Sequence, residues 1–119
     1  MYDHIGLKVK DLGASVRFYT AALGSLGYVV CAQDESGAGF GPPNEPALWL
    51  HLDRSSAAGA HVAFRAPDRT AVDRFHAAGL EAGGRDHGRP GLRADYSPTY
   101  YAAFLLDPDG NNIEAACPR

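Results

Sequence analysis

Polar and apolar positions along this chain fall into one short pattern that occurs twice. Residues 2–9 alternate Tyr2, His4, Gly6 and Lys8 against Asp3, Ile5, Leu7 and Val9, the period of two expected of a half-buried strand, with His4 and Gly6 on one face. Asp11 can cap a following helix whose apolar stripe is Leu12, Val16, Tyr19 and Leu23, widened by Phe18 and Ala22 and ended at Gly24 or Gly27. Tyr28 to Ala32 reads as a second strand and the glycine-broken Gly37 to Gly41 as a third. Three prolines make Gly41 to Pro46 a loop. Ala47 to Leu52 then gives a fourth strand, with Trp49 and His51 on one face and Leu48, Leu50 and Leu52 on the other.

The order then repeats. Ala60 to Ala66 is a strand, Pro67 and Asp68 open a helix, and Val72, Phe75 and Ala78 supply its buried face before Gly79, which is expected to stop it. Leu80 to Arg85 is expected as a weak strand, and Asp86 to Pro98 as a long loop, too polar and broken for regular structure, of the kind that forms lids or binding loops. Thr99 to Leu106 is an aromatic-rich strand. It runs into Asp107, Pro108, Asp109 and Gly110, a tight reversal because Pro fixes φ and Gly supplies φ > 0. The last strand begins at Asn112.

The two halves can be superposed residue on residue. His4 to Val9 falls onto His61 to Ala66 at an offset of 57, which also carries Asp11 onto Asp68, Phe18 onto Phe75 and Ala21 onto Ala78. The fold class is therefore α+β: two βαβββ modules related by a pseudo-twofold, about 1–57 and 58–119, in a single domain with curved mixed sheets around a central cavity.

Composition narrows the class of function. At 119 residues the chain is one ordinary domain, and 45% hydrophobic and 21% charged residues are usual for a globular protein. A net charge of −3 argues against nucleic acid or an anionic membrane as the main partner. No apolar run reaches membrane-spanning length and the N-terminus opens directly on a strand, so a cytoplasmic location is the expectation. Cys31 and Cys117 lie far apart in strand-like stretches and read as buried thiols.

Candidate chemistry begins with Glu114, a carboxylate among small and apolar neighbours in Asn112, Ile113, Glu114, Ala115, Ala116, Cys117. A carboxylate so enclosed needs a cation, a donor network or a metal. His4 and His61 head equivalent strands, and a pseudo-twofold would bring them together. Two imidazoles and one carboxylate leave coordination positions open on one divalent metal ion such as Fe, Mn, Ni or Zn, so that a small-molecule substrate can supply further oxygens.

The opening DHIGLKVKDLGASVRFY, the HVAF strand and the DPDGNNIE turn resemble the vicinal oxygen chelate superfamily, which includes glyoxalase I, fosfomycin- and bleomycin-resistance proteins and type I extradiol dioxygenases. The resemblance implies that His4, His61 and Glu114 bind the metal, and that a small oxygen-rich substrate chelates it through adjacent oxygens. It implies a lyase, isomerase, transferase or oxygenase step, with Glu114 the candidate catalytic proton carrier. Departures from the subfamilies are informative. A glyoxalase I-like fourth ligand would fall on Trp49, which cannot ligate; His51, two residues on, is the substitute on that face. An extradiol-like tyrosine would fall on Phe104, although Tyr96, Tyr100 or His87 are available. Trp49, His51, Arg93, Tyr96, Tyr100 and Tyr101 are accordingly the candidate substrate pocket, with Arg93 reaching an anionic group. A metal-free binding protein of the bleomycin-resistance type is the alternative. Relatives of this size commonly form homodimers, some building each site from the first module of one chain and the second module of the other.

Overall fold

The computed structural model describes residues 1–57 and 59–119. Its elements follow the order β1 (Ile5–Val9), α1 (Leu12–Gly24), β2 (Val29–Gln33), β3 (Gly37–Gly41), β4 (Leu48–Leu52), then β5 (His61–Arg65), α2 (Arg69–Glu81), β6 (Arg85–Leu92), β7 (Tyr101–Leu106) and β8 (Asn112–Cys117). Each module is a four-stranded mixed sheet with one helix, of order β1-β4-β3-β2 in the first and β5-β8-β7-β6 in the second. The first and last strands of each module pair in parallel, β1 with β4 and β5 with β8. β1 and β5 are thus sheet edges, as are β2 and β6.

The alternation read from sequence sets which face is buried. Leu7, Val9, Leu48 and Leu50 turn under α1, while Val62, Leu105, Ile113 and Ala115 turn under α2, in one continuous core that includes Phe18, Tyr19 and Phe75. Asp11 and Asp68 cap the two helices as expected, accepting from the backbone N–H of Ala14 and Ala71. The modules meet through α1 and α2, where the Ser25 hydroxyl donates to the Arg74 carbonyl, and through Tyr28 against Phe64.

Two boundaries differ from the sequence expectation. α2 does not stop at Gly79 but runs to Glu81, which absorbs the start of the weak strand expected over Leu80 to Arg85. Gly79 is there for space: a Cβ would collide with Leu105. The positive φ that ends the helix belongs to Gly83, at +100°. The other difference is β6, since Arg85–Leu92 takes up the first half of the stretch expected to be loop. Pairing with β7 imposes it, with register shifts near Gly88, and at a sheet edge Pro90 and the glycines are tolerated.

The DPDGN turn does more than reverse the chain. Asp107 is buried and accepts from the Tyr19 hydroxyl at 2.6 Å, the backbone N–H of Asp109 and Asn111, and the Asn111 amide. Asp109 accepts from the Lys10 N–H at 2.9 Å, and Asn111 Oδ1 from the N–H groups of Gly59 and Ala60. A turn in module two therefore fastens β1 and α1 of module one. Burial first, then the adjacent Asp107 charge, holds the Tyr19 phenol far above its ordinary range, so it remains a donor.

Candidate functional site

Parallel pairing of β5 with β8 sets His61 opposite Asn112 and Ala63 opposite Glu114. His61 and Glu114 rise from the same sheet face, and His61 Nε2 lies 3.1 Å from Glu114 Oε2. The carboxylate is 5% exposed and the imidazole 49%, so the pair stands at the wall of an opening with the acid beneath. His61 Nδ1 donates to the Asn112 carbonyl at 3.0 Å. That bond holds the ring proton on Nδ1 and turns the Nε2 lone pair toward the carboxylate. Two lone-pair-bearing atoms at this separation need a cation between them, either a proton or a metal ion.

The other carboxylate oxygen is already committed. Tyr100 donates its hydroxyl to Glu114 Oε1 at 2.6 Å, leaving Oε2 to face the histidine. Burial, followed by the hydrogen bond to Glu114, pushes the Tyr100 phenol up to about 12, so it is a protonated donor at neutral pH. Tyr96 packs edge-on against Tyr100 at 5.2 Å, and Phe104, directly across from Glu114 on β7, stacks on His61 at 6.3 Å.

His4 stands apart from this pair. It precedes β1 with its side chain 59% exposed, and its Nδ1–H donates to Asp3 at 2.7 Å, which again leaves Nε2 free. A cavity of about 330 Å³ lies beside it between the modules, walled by Tyr28, Phe40, Leu48, Val62 and Phe64 among others. Among the described residues, no group of three or more His, Cys, Asp and Glu side chains is arranged to hold a metal ion. Two members of the expected set are together, and the third is elsewhere.

The remaining candidates divide between the two open sheet faces. Trp49 and His51 are on the open face of module one, where the indole lies flat over Gly39 and the His51 ring lies against Gly6. Arg93, Tyr96 and Tyr100 belong to the Glu114 face. Tyr101 does not: its hydroxyl donates to Asp73 of α2 at 2.6 Å and Arg69 stacks on its ring, on the helix side of the sheet. Asn112, not singled out from sequence, orients His61 through its carbonyl. Its signal was the alternation that puts it on the face of Glu114, two residues on.

No helix is long and apolar enough to cross a membrane among the described residues. The sequence matches the Glyoxalase/Bleomycin resistance protein/Dioxygenase superfamily over residues 2–115. No curated protein matches it. In structure, the chain is similar to a glyoxalase/bleomycin resistance protein from Albidiferax ferrireducens T118, at 32% identity and a TM-score of 0.87 over 98% of both chains. It shares its fold with a glyoxalase-related enzyme from Fulvimarina pelagi, at 22% identity and a TM-score of 0.75 over 98% of this chain and 86% of that one. The V278E glyoxalase I mutant from Zea mays has the fold too, at 24% identity and a TM-score of 0.73 over 97% of this chain and 45% of that one. Repeat, sheet order and sequence match agree: the chain belongs to the Glyoxalase/Bleomycin resistance protein/Dioxygenase superfamily.

Proposed function

We propose that this chain is a divalent-metal-dependent, glyoxalase-like enzyme that binds a small oxygen-rich substrate bidentately, with His4, His61 and Glu114 as the protein ligands. The observation that carries the reading is the 3.1 Å approach of the free His61 Nε2 to the buried Glu114 Oε2. Both imidazoles commit Nδ1 to an oxygen acceptor, the arrangement that orients histidines toward a metal through Nε2. The donor set of nitrogen and carboxylate oxygen fits Fe, Mn, Ni or Zn.

Assembly completes the set. His4 and His61 do not meet Glu114 as a trio within one chain, while β1 and β5 are open edges and Tyr2 and Ile5, flanking His4, are exposed. Exposed apolar side chains beside an open strand edge favour pairing with a second copy. In a homodimer, His4 of one copy would join His61 and Glu114 of the other, with Trp49 and His51 walling the site from the His4 side.

When bound, the ion would supply Lewis acidity and stabilise negative charge developing on substrate oxygens. The chain's own groups do the rest. Tyr100 holds one carboxylate oxygen of Glu114 still, which fixes the direction of the other. Where its bond to the ion is labile, Glu114 Oε2 is the group available to take a proton from a bound substrate and return it. Phe104, across from Glu114, stacks on His61, and Tyr96 packs on Tyr100, so each of the two groups that hold the carboxylate has an aromatic neighbour. A lyase or isomerase step of this kind needs no more than polarisation and one proton carrier.

A second reading, a metal-free ligand-binding protein, rests on the same 3.1 Å pair: with a proton between them, His61 and Glu114 form an ion pair that Tyr100 completes. Elemental analysis separates the two. The enzyme reading expects about one divalent ion per chain after anaerobic reconstitution and none in Glu114→Gln. Failure of the native protein to take up any divalent metal would leave the binding protein.

A further inference from the structure

Beside the His61–Glu114 pair is a separate pocket of about 280 Å³, lined by His87, Gly88, Arg93, Tyr96, Phe104 and Asn112. Its chemistry is one-sided. Arginine, histidine, tyrosine and an amide contribute donors, and no carboxylate lines it. Among the described residues Arg93 makes no salt bridge.

Arg93 is nonetheless held in place. One Nη2–H donates to the Arg89 carbonyl at 2.7 Å, and the guanidinium lies over the Phe104 ring at 5.3 Å. Gly88 makes the room: a Cβ there would be 2.8 Å from the Phe104 ring and 3.2 Å from Arg93 Nη2. A guanidinium fixed by a carbonyl and a ring, and lacking an acid, keeps most of its donors for an occupant. Asn112 lines the same pocket, and its Oδ1, buried without a hydrogen-bond partner, is an acceptor that calls for a donor such as a hydroxyl of the occupant beside its carboxylate. Asn112 also shares its sheet face with Glu114, so an occupant would reach toward Glu114 Oε2.

From this we infer that the pocket is a carboxylate subsite and that the substrate is a small organic acid. Its carboxylate pairs with Arg93, its body lies among Phe104 and Tyr96, and its remaining oxygens extend to the His61–Glu114 side. Two aromatic rings in the lining suit a flat carboxylate better than a hydrated tetrahedral anion. The inference rests on the proposed enzyme reading for what the neighbouring pair does, but anion binding itself requires no metal.

The test uses metal-free protein, with benzoate as probe and benzamide as its neutral counterpart, followed by NMR titration of the backbone amides. Benzoate should shift resonances of residues 87–96, 104 and 112, and benzamide should bind about tenfold more weakly or not at all. Arg93→Met should weaken benzoate about tenfold or more, and Asn112→Asp, which sets a like charge in the wall, by a similar factor. His61→Ala should retain benzoate binding while losing metal, so failure of the metal site and failure of this subsite are read separately. Equal binding of benzoate and benzamide, unchanged binding in Arg93→Met, or stronger competition by inorganic phosphate than by benzoate would each overturn the assignment.

Discussion

Trp49 and Glu114 occupy the same position in the two modules. Trp49 lies opposite Gly6 in the β1–β4 pair, Glu114 lies opposite Ala63 in the β5–β8 pair, and Gly6 and Ala63 are themselves repeat-related. One module puts a carboxylate there and the other an indole. The cross-strand neighbours differ to match: Glu114 faces Phe104, whereas Trp49 faces Gly39. A Cβ on residue 39 would be 2.7 Å from the indole, so glycine is what allows the ring to lie flat. Gly39→Ala should lift the indole and cost about 1–3 kcal/mol, as overpacking does. Chemical denaturation measures the cost, and because Trp49 is the single tryptophan, its fluorescence reports the displacement directly.

The turn that fastens the modules should dominate stability without touching the chemistry. Tyr19→Phe removes one donor from the buried Asp107 carboxylate and should cost about 2 kcal/mol. Asp107→Ala strands the Tyr19 hydroxyl, two backbone N–H groups and the Asn111 amide, and should cost about 3 kcal/mol or more. Urea titrations of both variants, with equal m-values, check the order.

Part of the loss of stability in acid should come from three hydrogen-bonded aspartates, Asp34, Asp53 and Asp86. The Ser36 hydroxyl holds the Asp34 carboxyl below its usual range, the Ser55 hydroxyl does so for Asp53, and His76 for Asp86, with backbone N–H groups assisting each. Their folded pKa values lie below the unfolded ones, so the unfolded chain binds more protons as pH falls. The stabilisation is present above the ordinary aspartate value near about 4 and is lost as pH drops through the folded values. Stability should therefore be level with respect to these groups above about pH 5 and decline below about pH 4. Asp34→Asn, Asp53→Asn and Asp86→Asn combined should flatten that decline in pH-dependent thermal melts.

Tyr100 acts through Glu114. Tyr100→Phe frees Glu114 Oε1 and should weaken metal affinity about tenfold while leaving the melting temperature nearly unchanged. Competition with a chromogenic chelator measures the affinity.

Both helices, the βαβββ succession of elements and the turn are legible in sequence because their patterns are local: capping aspartates, apolar stripes, and a repeat strict enough to align His4 with His61. β6 is not, since Arg85–Leu92 carries no β-branched residue and owes its conformation to β7. Gly79 misled for a related reason, as its small size serves a contact with Leu105 from a distant strand. At the site, the repeat and the family resemblance put His61 and Glu114 in one candidate set, and the parallel pairing of β5 with β8 is what makes them meet. The repeat aligns His4 with His61 but does not say whether the two meet within one chain, and no local pattern marks Tyr100, a candidate pocket residue, as the hydrogen-bond partner of Glu114.

The most direct test of a metal site shared between copies is the metal content of a mixed dimer. Chains carrying His4→Ala and Glu114→Gln, with different affinity tags, are produced together, purified through both tags and reconstituted anaerobically. Each variant alone should bind none, while the mixed dimer keeps one intact site and should hold about one divalent ion per dimer. A mixed dimer as empty as its parents, beside a wild type that binds metal, would contradict the shared site, and a wild type that binds none would contradict the metal itself.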